Sequence, residues 1–290
     1  KMKNLLKSKK KNKKEELVGN SGCKLTIFKN ETHKVRKQST NLSNSKRLFD
    51  QYIKIKNFKE YKKIAVPKIF DSKKSKNLFF YDMEYINGST LSLYLINQPF
   101  SLTKKVIENI FNFIFYCKKN STYTYNEDIF DKKIKKLEKL NKHHNIFFRK
   151  VFKKLKSHKW NNIKHSNAHG DLSLENIIIK EKKISFIDLS ENFINCYKLD
   201  ISKILFDIIS CWSFRSLVSS NPSINIESLK SFILMTVKNN LSKKDFLDIK
   251  MLIILDFLRV LQYTKNINDI NLLLNKFKLF YDNFDNSLRW

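Results

Sequence analysis

The stretch Asn167-Ala168-His169-Gly170-Asp171-Leu172-Ser173-Leu174-Glu175-Asn176-Ile177-Ile178-Ile179-Lys180-Glu181-Lys182-Lys183-Ile184-Ser185-Phe186-Ile187-Asp188-Leu189 carries the densest chemistry in this 290-residue chain. It reads as a polar loop, a strand over Ile177 to Ile179, a turn at Glu181-Lys182-Lys183, and a strand from Ile184 to Ile187 that ends on an acid. A hairpin of this size returns its end to its beginning. Asn176, just before the first strand, and Asp188, just after the second, therefore become neighbours, and Asp171 reaches the same end from the loop. Two carboxylates and an amide oxygen converging there suit a hard cation such as Mg²⁺, which takes oxygen ligands and usually only a few from protein. The remaining carboxylate can then orient and deprotonate an attacking hydroxyl. A metal, held phosphates and such a base are most of what phosphoryl transfer requires of a protein.

Working outward, the chain has only four glycines, Gly19, Gly22, Gly88 and Gly170, so their places are informative. Leu17 to Phe28 reads as strand, tight turn and strand, and the turn Gly19-Asn20-Ser21-Gly22 can lay backbone N–H groups over phosphates. Taken alone it reads equally as a plain hairpin. A strand Lys34-Val35-Arg36-Lys37-Gln38 follows, then a helix from about Ser43 to Lys62 carrying Leu48, Phe49, Tyr52, Ile53 and Phe58. Beyond Pro67 come two strand-like runs, Lys68 to Phe70 and Leu78 to Ile86, the second closing on Asn87-Gly88. Together these make a small sheet with one helix. From about Leu91 to Trp160 the pattern is helical, with Ser101 as N-cap of one helix and a second, longer helical pattern from Ile134 to Leu155.

Composition bounds the class. With 42% hydrophobic residues, the chain can bury one large core or two smaller ones. Its longest apolar run near the end, Met251 to Leu255, is broken by Asp256 and Arg259, short of the roughly 20 residues that span a bilayer. The first sixteen residues hold eight lysines and no apolar stretch of the kind a signal peptide needs, so residues 1–16 read as a basic segment and the expected location is cytoplasmic. Cys23, Cys117, Cys196 and Cys211 lack the spacing of a disulfide framework or zinc site. The net charge of +30 draws attention to anions, yet a chain rich in Lys, Asn, Ile and Phe fits an AT-rich coding sequence with lysines drifting onto solvated faces. Between Asp131 and Lys164 there are thirteen Lys or Arg against two acids. A solvated face is the favoured reading there, and an anion-binding surface is the alternative.

His169-Gly170-Asp171 followed by Asn176, with Ile187-Asp188 after a hairpin, resembles the catalytic loop and metal-binding acid of the aminoglycoside phosphotransferase and choline kinase superfamily, a branch of the protein-kinase-like fold. Met83-Glu84-Tyr85-Ile86-Asn87-Gly88 resembles that family's hinge, and Leu199-Asp200-Ile201-Ser202-Lys203 its later loop-supporting Asp. The resemblance covers roughly Leu17 to Trp212. It implies an α+β, bilobal protein-kinase-like fold, with a small antiparallel-sheet N-lobe bearing one helix (residues 17–86, nucleotide-binding) and a larger, mainly helical C-lobe (residues 87–290). It further implies ATP and Mg²⁺ as cofactors, with phosphates under Gly19, Asn20, Ser21 and Gly22 and held by Lys37. Adenine would lie against Asp82, Met83, Glu84, Tyr85 and Ile86, the metal on Asn176 and Asp188, and the base would be Asp171. His169 and Asp200 would brace the loop.

The family's lysine is usually paired by a Glu on the next helix. Here the acids available between Ser43 and Glu60 are Asp50 and Glu60, and Asp50 is the expected support. Strand alternation favours Lys37 over Lys34 for the phosphate role. The acceptor is expected to be a hydroxyl of a small molecule or glycan, a sugar, a sugar phosphate or the glycan part of a polysaccharide. A polycationic aminoglycoside would require Glu191, Asp207 and nearby acids to cluster; choline or ethanolamine would require a cage such as Trp212, Tyr197 and Glu191. A non-catalytic kinase-like module that binds nucleic acid or an acidic partner predicts loss of Lys37, Asp171, Asn176 or Asp188. All four are present, so nucleic acid is disfavoured despite the charge.

Overall fold

The computed structural model describes residues 14–18, 22–28, 33–75, 78–141, 145–215 and 224–285. The chain forms two compact units. The first is drawn from Lys1–Phe58 and Val66–Asn87, and the second from Lys59–Ala65 and Gly88–Trp290. Residues 59–65, inside the span expected for the N-lobe, thus pack with the second unit.

In the first unit, strands β1 (Lys14–Val18), β2 (Lys24–Phe28), β3 (Lys34–Gln38), β5 (Ile69–Ser75) and β6 (Leu78–Glu84) form one antiparallel sheet in the order β1-β2-β3-β6-β5. Helix α1 (Leu42–Lys56) packs on β6 and buries Leu48, Gln51 and Ile55. It starts where the Asn41 side chain accepts the N–H of Asn44, a standard way to satisfy an orphan donor of the first turn. It ends at Lys56, earlier than the periodic pattern implied, because the apolar residue Phe58 falls after the chain has left the helix.

In the second unit, β4 (Ile64–Ala65), β7 (Ser89–Thr90), β8 (Ile177–Lys180) and β9 (Lys183–Phe186) form a sheet in the order β4-β9-β8-β7. The turn between β8 and β9 is Glu181-Lys182, with Lys183 already paired to Lys180. Where β7 lies against β8, Gly88 is required by space: a Cβ there would stand 2.6 Å from the Ile179 carbonyl oxygen and 2.8 Å from Ile178 Cγ2. Gly88→Ala is accordingly expected to destabilise the protein by about 1–3 kcal/mol, read as a lowered denaturant midpoint with an unchanged slope.

The helices of this unit are α2 (Leu91–Asn97), α3 (Phe100–Lys119), α4 (Asp128–Leu140), α5 (Ile146–Ser157), α6 (Tyr197–Ser210), α7 (Ile224–Asn240), α8 (Lys243–Tyr263) and α9 (Ile267–Asp282). Two sequence expectations are corrected here. The residue before α3 is Pro99, which makes no side-chain cap bond, so Ser101 lies inside the first turn rather than capping it. The single long pattern from Ile134 to Leu155 is two helices, and the second has its own cap in Asn145, which accepts the N–H of Phe148. No helix among the described residues is long and apolar enough to cross a membrane.

Helix α6 is buried on every side, all the way from Tyr197 to Ser210, and α8 is buried from Asp248 to Leu258. Charged residues on such helices must be paired or strongly disfavoured. Lys198 shows how this chain meets the requirement: its Nζ lies 2.6 Å from Asp245 Oδ1 and 2.8 Å from Asp248 Oδ2, and donates to the Asn162 carbonyl at 2.9 Å. Asp248 is also held by His158 at 2.9 Å and Lys244 at 2.6 Å.

Candidate active site

The loop from His169 to Asn176 is fixed from beneath by one face of α6. Asp200 accepts the backbone N–H of His169 at 2.7 Å and that of Gly170 at 2.9 Å. Asp207, two turns on, accepts the N–H of Leu174 at 2.7 Å and the Ser213 hydroxyl at 2.8 Å. Between them Lys203 Nζ lies 3.3 Å from Asp171 Oδ1. Residues 200, 203 and 207 recur at the spacing of one helix face, so a single rigid element positions the loop at three points. Burial pushes the Asp207 carboxyl up to about 7, against the bonds from Leu174 and Ser213.

The loop is also tied to the hairpin. Asp171 N–H donates to His169 Nδ1 at 3.2 Å, which makes Nδ1 the acceptor and leaves His169 Nε2 to donate to the Ile187 carbonyl at 2.9 Å. The buried imidazole is therefore a brace between the Asp171 and Asp188 segments. Asn176 closes the arrangement: its Nδ2 donates 2.8 Å to the Asp171 carbonyl, and its own carbonyl accepts the N–H of Ile187 at 3.0 Å. With Nδ2 committed, the amide group has its Oδ1 left as the donor atom for a cation. Asp188 adopts φ of +56°, and Gly170 φ of +89°. A non-glycine residue in the left-handed region costs of order 1 kcal/mol, and such strain concentrates at functional positions. An amide oxygen and a carboxylate, on segments joined by the bond from the Ile187 N–H to the Asn176 backbone carbonyl, are donor types that fit Mg²⁺. Among the described residues no group of three or more His, Cys, Asp or Glu assembles that could hold a metal.

Asp171 is 36% exposed, open enough for a substrate to reach. It sits at one end of a charged chain that joins α6 to α8. Lys203 bridges it to Asp256, which also accepts the Ser202 hydroxyl at 3.1 Å. Arg259 Nη2 stands 3.8 Å from Asp171 Oδ1, and its Nε 3.5 Å from Asp256 Oδ1. Burial opposes the Asp171 carboxylate, but Lys203 and Arg259 outweigh it and hold the carboxyl below its ordinary value. A depressed carboxylate keeps its ion pair above the unfolded pKa, near 4, and loses it only as pH falls through the lower folded value. A profile of kcat/KM against pH should therefore show no Asp171 limb between about pH 5 and 8. In Lys203→Met the acid limb should move up toward neutrality.

The first unit holds the residues expected to meet nucleotide. Gly19, Asn20 and Ser21 lie outside the described residues. Gly22 has φ of +71° and its carbonyl accepts from Thr40 Oγ1 at 2.7 Å and Asn44 Nδ2 at 3.2 Å. Lys37 is 1% exposed, on the face it shares with Val35, and its Nζ donates to Gln51 Oε1 at 3.1 Å. The residue that α1 offers to Lys37 is thus the amide of Gln51, whereas the expected acid, Asp50, is its neighbour in sequence. On the opposite face of β3, Arg36 and Lys34 grip Asp82, with Arg36 Nε 2.7 Å from Oδ1 and Lys34 Nζ 2.8 Å from Oδ2. Burial resists that charge, and the hydrogen bonds of Arg36 and Lys34 overcome it. The Asp82 side chain is therefore engaged within the sheet. Met83 is buried, the N–H of Glu84 bonds to the Lys68 carbonyl, and that of Tyr85 to the His33 carbonyl.

The groups considered for cationic acceptors are committed elsewhere. Glu191 accepts from Asn195 and Asp207 from Leu174 and Ser213. One face of the Trp212 ring is covered by the Arg215 guanidinium, 4.0 Å from its centroid, and Tyr197 is buried. Neither an acidic cluster nor the aromatic cage is assembled from these residues.

No family model matches the sequence, and no curated protein matches it. Solved structures do match the fold. Aminoglycoside 2'-phosphotransferase-IIIa in its GDP complex aligns with a TM-score of 0.62 at 12% identity, over 94% of this chain and 93% of that one. A choline/ethanolamine kinase family protein from Mesorhizobium loti gives 0.58 at 11% identity, over 97% and 92%. The choline kinase of Cryptosporidium parvum Iowa II gives 0.55 at 12% identity, over 98% and 93%. The chain has the α+β, kinase-like fold that aminoglycoside phosphotransferases and choline kinases share.

Sequence reasoning passed over Lys203, Asp256, Arg259 and Gln51. A signal existed for the first three. Each is a charge set within an apolar helical run, which implies a partner, but nothing in the sequence names the partner.

Proposed function

We propose that this protein is a phosphotransferase that moves the γ-phosphoryl group of ATP to a hydroxyl of a small molecule or glycan, with a sugar or sugar-derived compound as acceptor. The observation that carries the reading is the held loop, in which Asp171 is partly exposed, kept ionised by Lys203 and Arg259, and linked through His169 and Asn176 to the segment bearing Asp188. The acceptor oxygen bonds to the γ-phosphorus as the bond from that phosphorus to the bridging oxygen breaks. Its proton passes to the Asp171 carboxylate, and the products are a phosphate monoester and a nucleoside diphosphate.

Asn176 and Asp188 hold Mg²⁺ in this reading, and the ion neutralises phosphate charge when bound. Gly19, Asn20, Ser21, Gly22 and Lys37 meet the phosphates, and Glu84 to Ile86 the base. A cationic acceptor is disfavoured because the acids it needs are engaged. The fold's occurrence among small-molecule kinases agrees with the reading without identifying the acceptor. The test is incubation with ATP, Mg²⁺ and a hydroxyl-compound panel, read as nucleoside diphosphate release together with acceptor gaining one phosphate. Absence of both transfer and Mg-nucleotide binding sinks it.

A further inference from the structure

Asp256 is a buried carboxylate set in the apolar run of α8. Its Oδ2 accepts the Ser202 hydroxyl of α6 at 3.1 Å, and its Oδ1 lies 2.5 Å from Lys203 Nζ and 3.5 Å from Arg259 Nε. The same two cations reach the loop, where Lys203 Nζ stands 3.3 Å and Arg259 Nη2 3.8 Å from Asp171 Oδ1. Two carboxylates and two cations thus form one cluster whose charges cancel. Both contacts to Asp171 fall on a single oxygen. Its Oδ2, on a partly exposed side chain, takes no ion pair or side-chain hydrogen bond among the described residues.

Stability does not account for the cluster. A buried ion pair is often no better than an apolar pair of the same volume, because desolvation cancels the Coulomb gain, and the buried neighbours along α6 and α8 are mostly Leu, Ile and Phe. What charges can do here and apolar side chains cannot is hold a carboxylate that must stay open on its other side. Lys203 lies closer to Asp256 than to Asp171, so α8 keeps the ammonium back and it meets the loop at one oxygen only. Asp256 and Arg259 are one turn apart on α8, which lets the same helix supply the anchor and the second cation. Without the Asp256 charge, two buried cations would face one carboxylate, and both its oxygens would be drawn inward.

We propose that Asp256 is a positioning residue for phosphoryl transfer: through Lys203 and Arg259 it holds Asp171 by Oδ1, and it thereby leaves Oδ2 as the oxygen that receives the acceptor's proton. The proposal rests on the phosphotransferase reading for the proton, and on the contacts alone for the hold. In the transfer the acceptor hydroxyl donates its hydrogen bond to Oδ2. Its O–H bond breaks toward that oxygen as the new bond to the γ-phosphorus forms and the bond to the bridging oxygen breaks, while Lys203 and Arg259 keep their places. Fixing one oxygen fixes the direction of the other, and an error of orientation at a reacting group costs rate rather than binding.

Two measurements on the full chain test the hold. The first separates positioning from stability. Lys203→Met leaves the buried Asp256 charge short of a partner and should lower the denaturant midpoint, whereas Lys203→Met/Asp256→Asn removes both charges of the pair, keeps an acceptor for Ser202, and should bring the midpoint back close to wild type. With the acceptor that the hydroxyl-compound panel yields, kcat of the double variant is expected to stay about ten- to a hundredfold below wild type, with KM for nucleotide unchanged, because Lys203 no longer holds Oδ1. A kcat that returns together with the midpoint makes the cluster merely structural and overturns the proposal. The second measurement needs no activity, and it decides the matter if the midpoint does not return. Crystals of the wild type should show one Asp171 orientation, with one oxygen on Lys203 and the other turned outward. In Asp256→Asn the carboxylate should be turned so that both oxygens meet the cations, or split between two orientations; an orientation identical to wild type overturns the proposal. No transfer to any acceptor and no binding of Mg-nucleotide by the wild type defeats the phosphotransferase reading, and the crystal comparison then still decides whether Asp256 holds Asp171.

Discussion

Asp171→Asn is expected to lower kcat for ATP-dependent phosphorylation by about a hundred- to ten-thousand-fold, with nucleotide affinity and thermal stability close to wild type. The substitution keeps side-chain shape and leaves the Asp171 carbonyl available to Asn176 Nδ2. Lys203 retains Asp256 as its carboxylate partner, so the buried ammonium is not stranded. What disappears is the acceptor for the hydroxyl proton and the charge that orients the hydroxyl. The loss should therefore fall on kcat more than on KM. An unchanged rate of transfer in Asp171→Asn, with acceptor consumption verified by mass, removes Asp171 from the chemistry.

The second large effect is structural in origin and functional in consequence. Asp200→Ala deletes the acceptor for two buried backbone N–H groups, those of His169 and Gly170. Each unsatisfied buried donor costs about 1–3 kcal/mol, more for bonds to a charged group, so the expected destabilisation is about 2–5 kcal/mol, measured by denaturant unfolding. Because those amides set the position of Asp171, turnover should fall more steeply than the folded fraction does. Asp200→Asn offers one amide oxygen in place of two carboxylate oxygens and should fall between the two. If Asp200→Ala unfolds at the wild-type midpoint, the loop is held by its other bonds and α6 is not its clamp.

How much of this was legible beforehand differs from element to element. The hairpin from Ile177 to Phe186 was, because a run of isoleucines and a short polar turn are local facts; its strands differ from the expected ones only at their ends, where Lys180 and Lys183 join them and Ile187 lies outside. The face of Lys37 was too, since alternation along β3 needs no partner to be read. The break between α4 and α5 was missed because the apolar period runs on across it, and the Asn145 cap is a single residue within a polar stretch. Gln51 was missed because the search near Lys37 was for a charge, while an amide oxygen serves as acceptor just as an acid does.

The string His169 to Asn176, with Asp188 after a hairpin, was therefore determined by sequence alone as a loop with two acids and an amide at one end, since each step is set by neighbours a few residues apart. Tertiary structure decided the environment of that loop. Asp171 owes its held charge to Lys203 and Arg259, and both of these are paired in turn to Asp256. These partners come from α6 and α8 and meet the loop only when the two helices pack. Side-chain chemistry fixes what each can bind, but only packing determines which of them face one another.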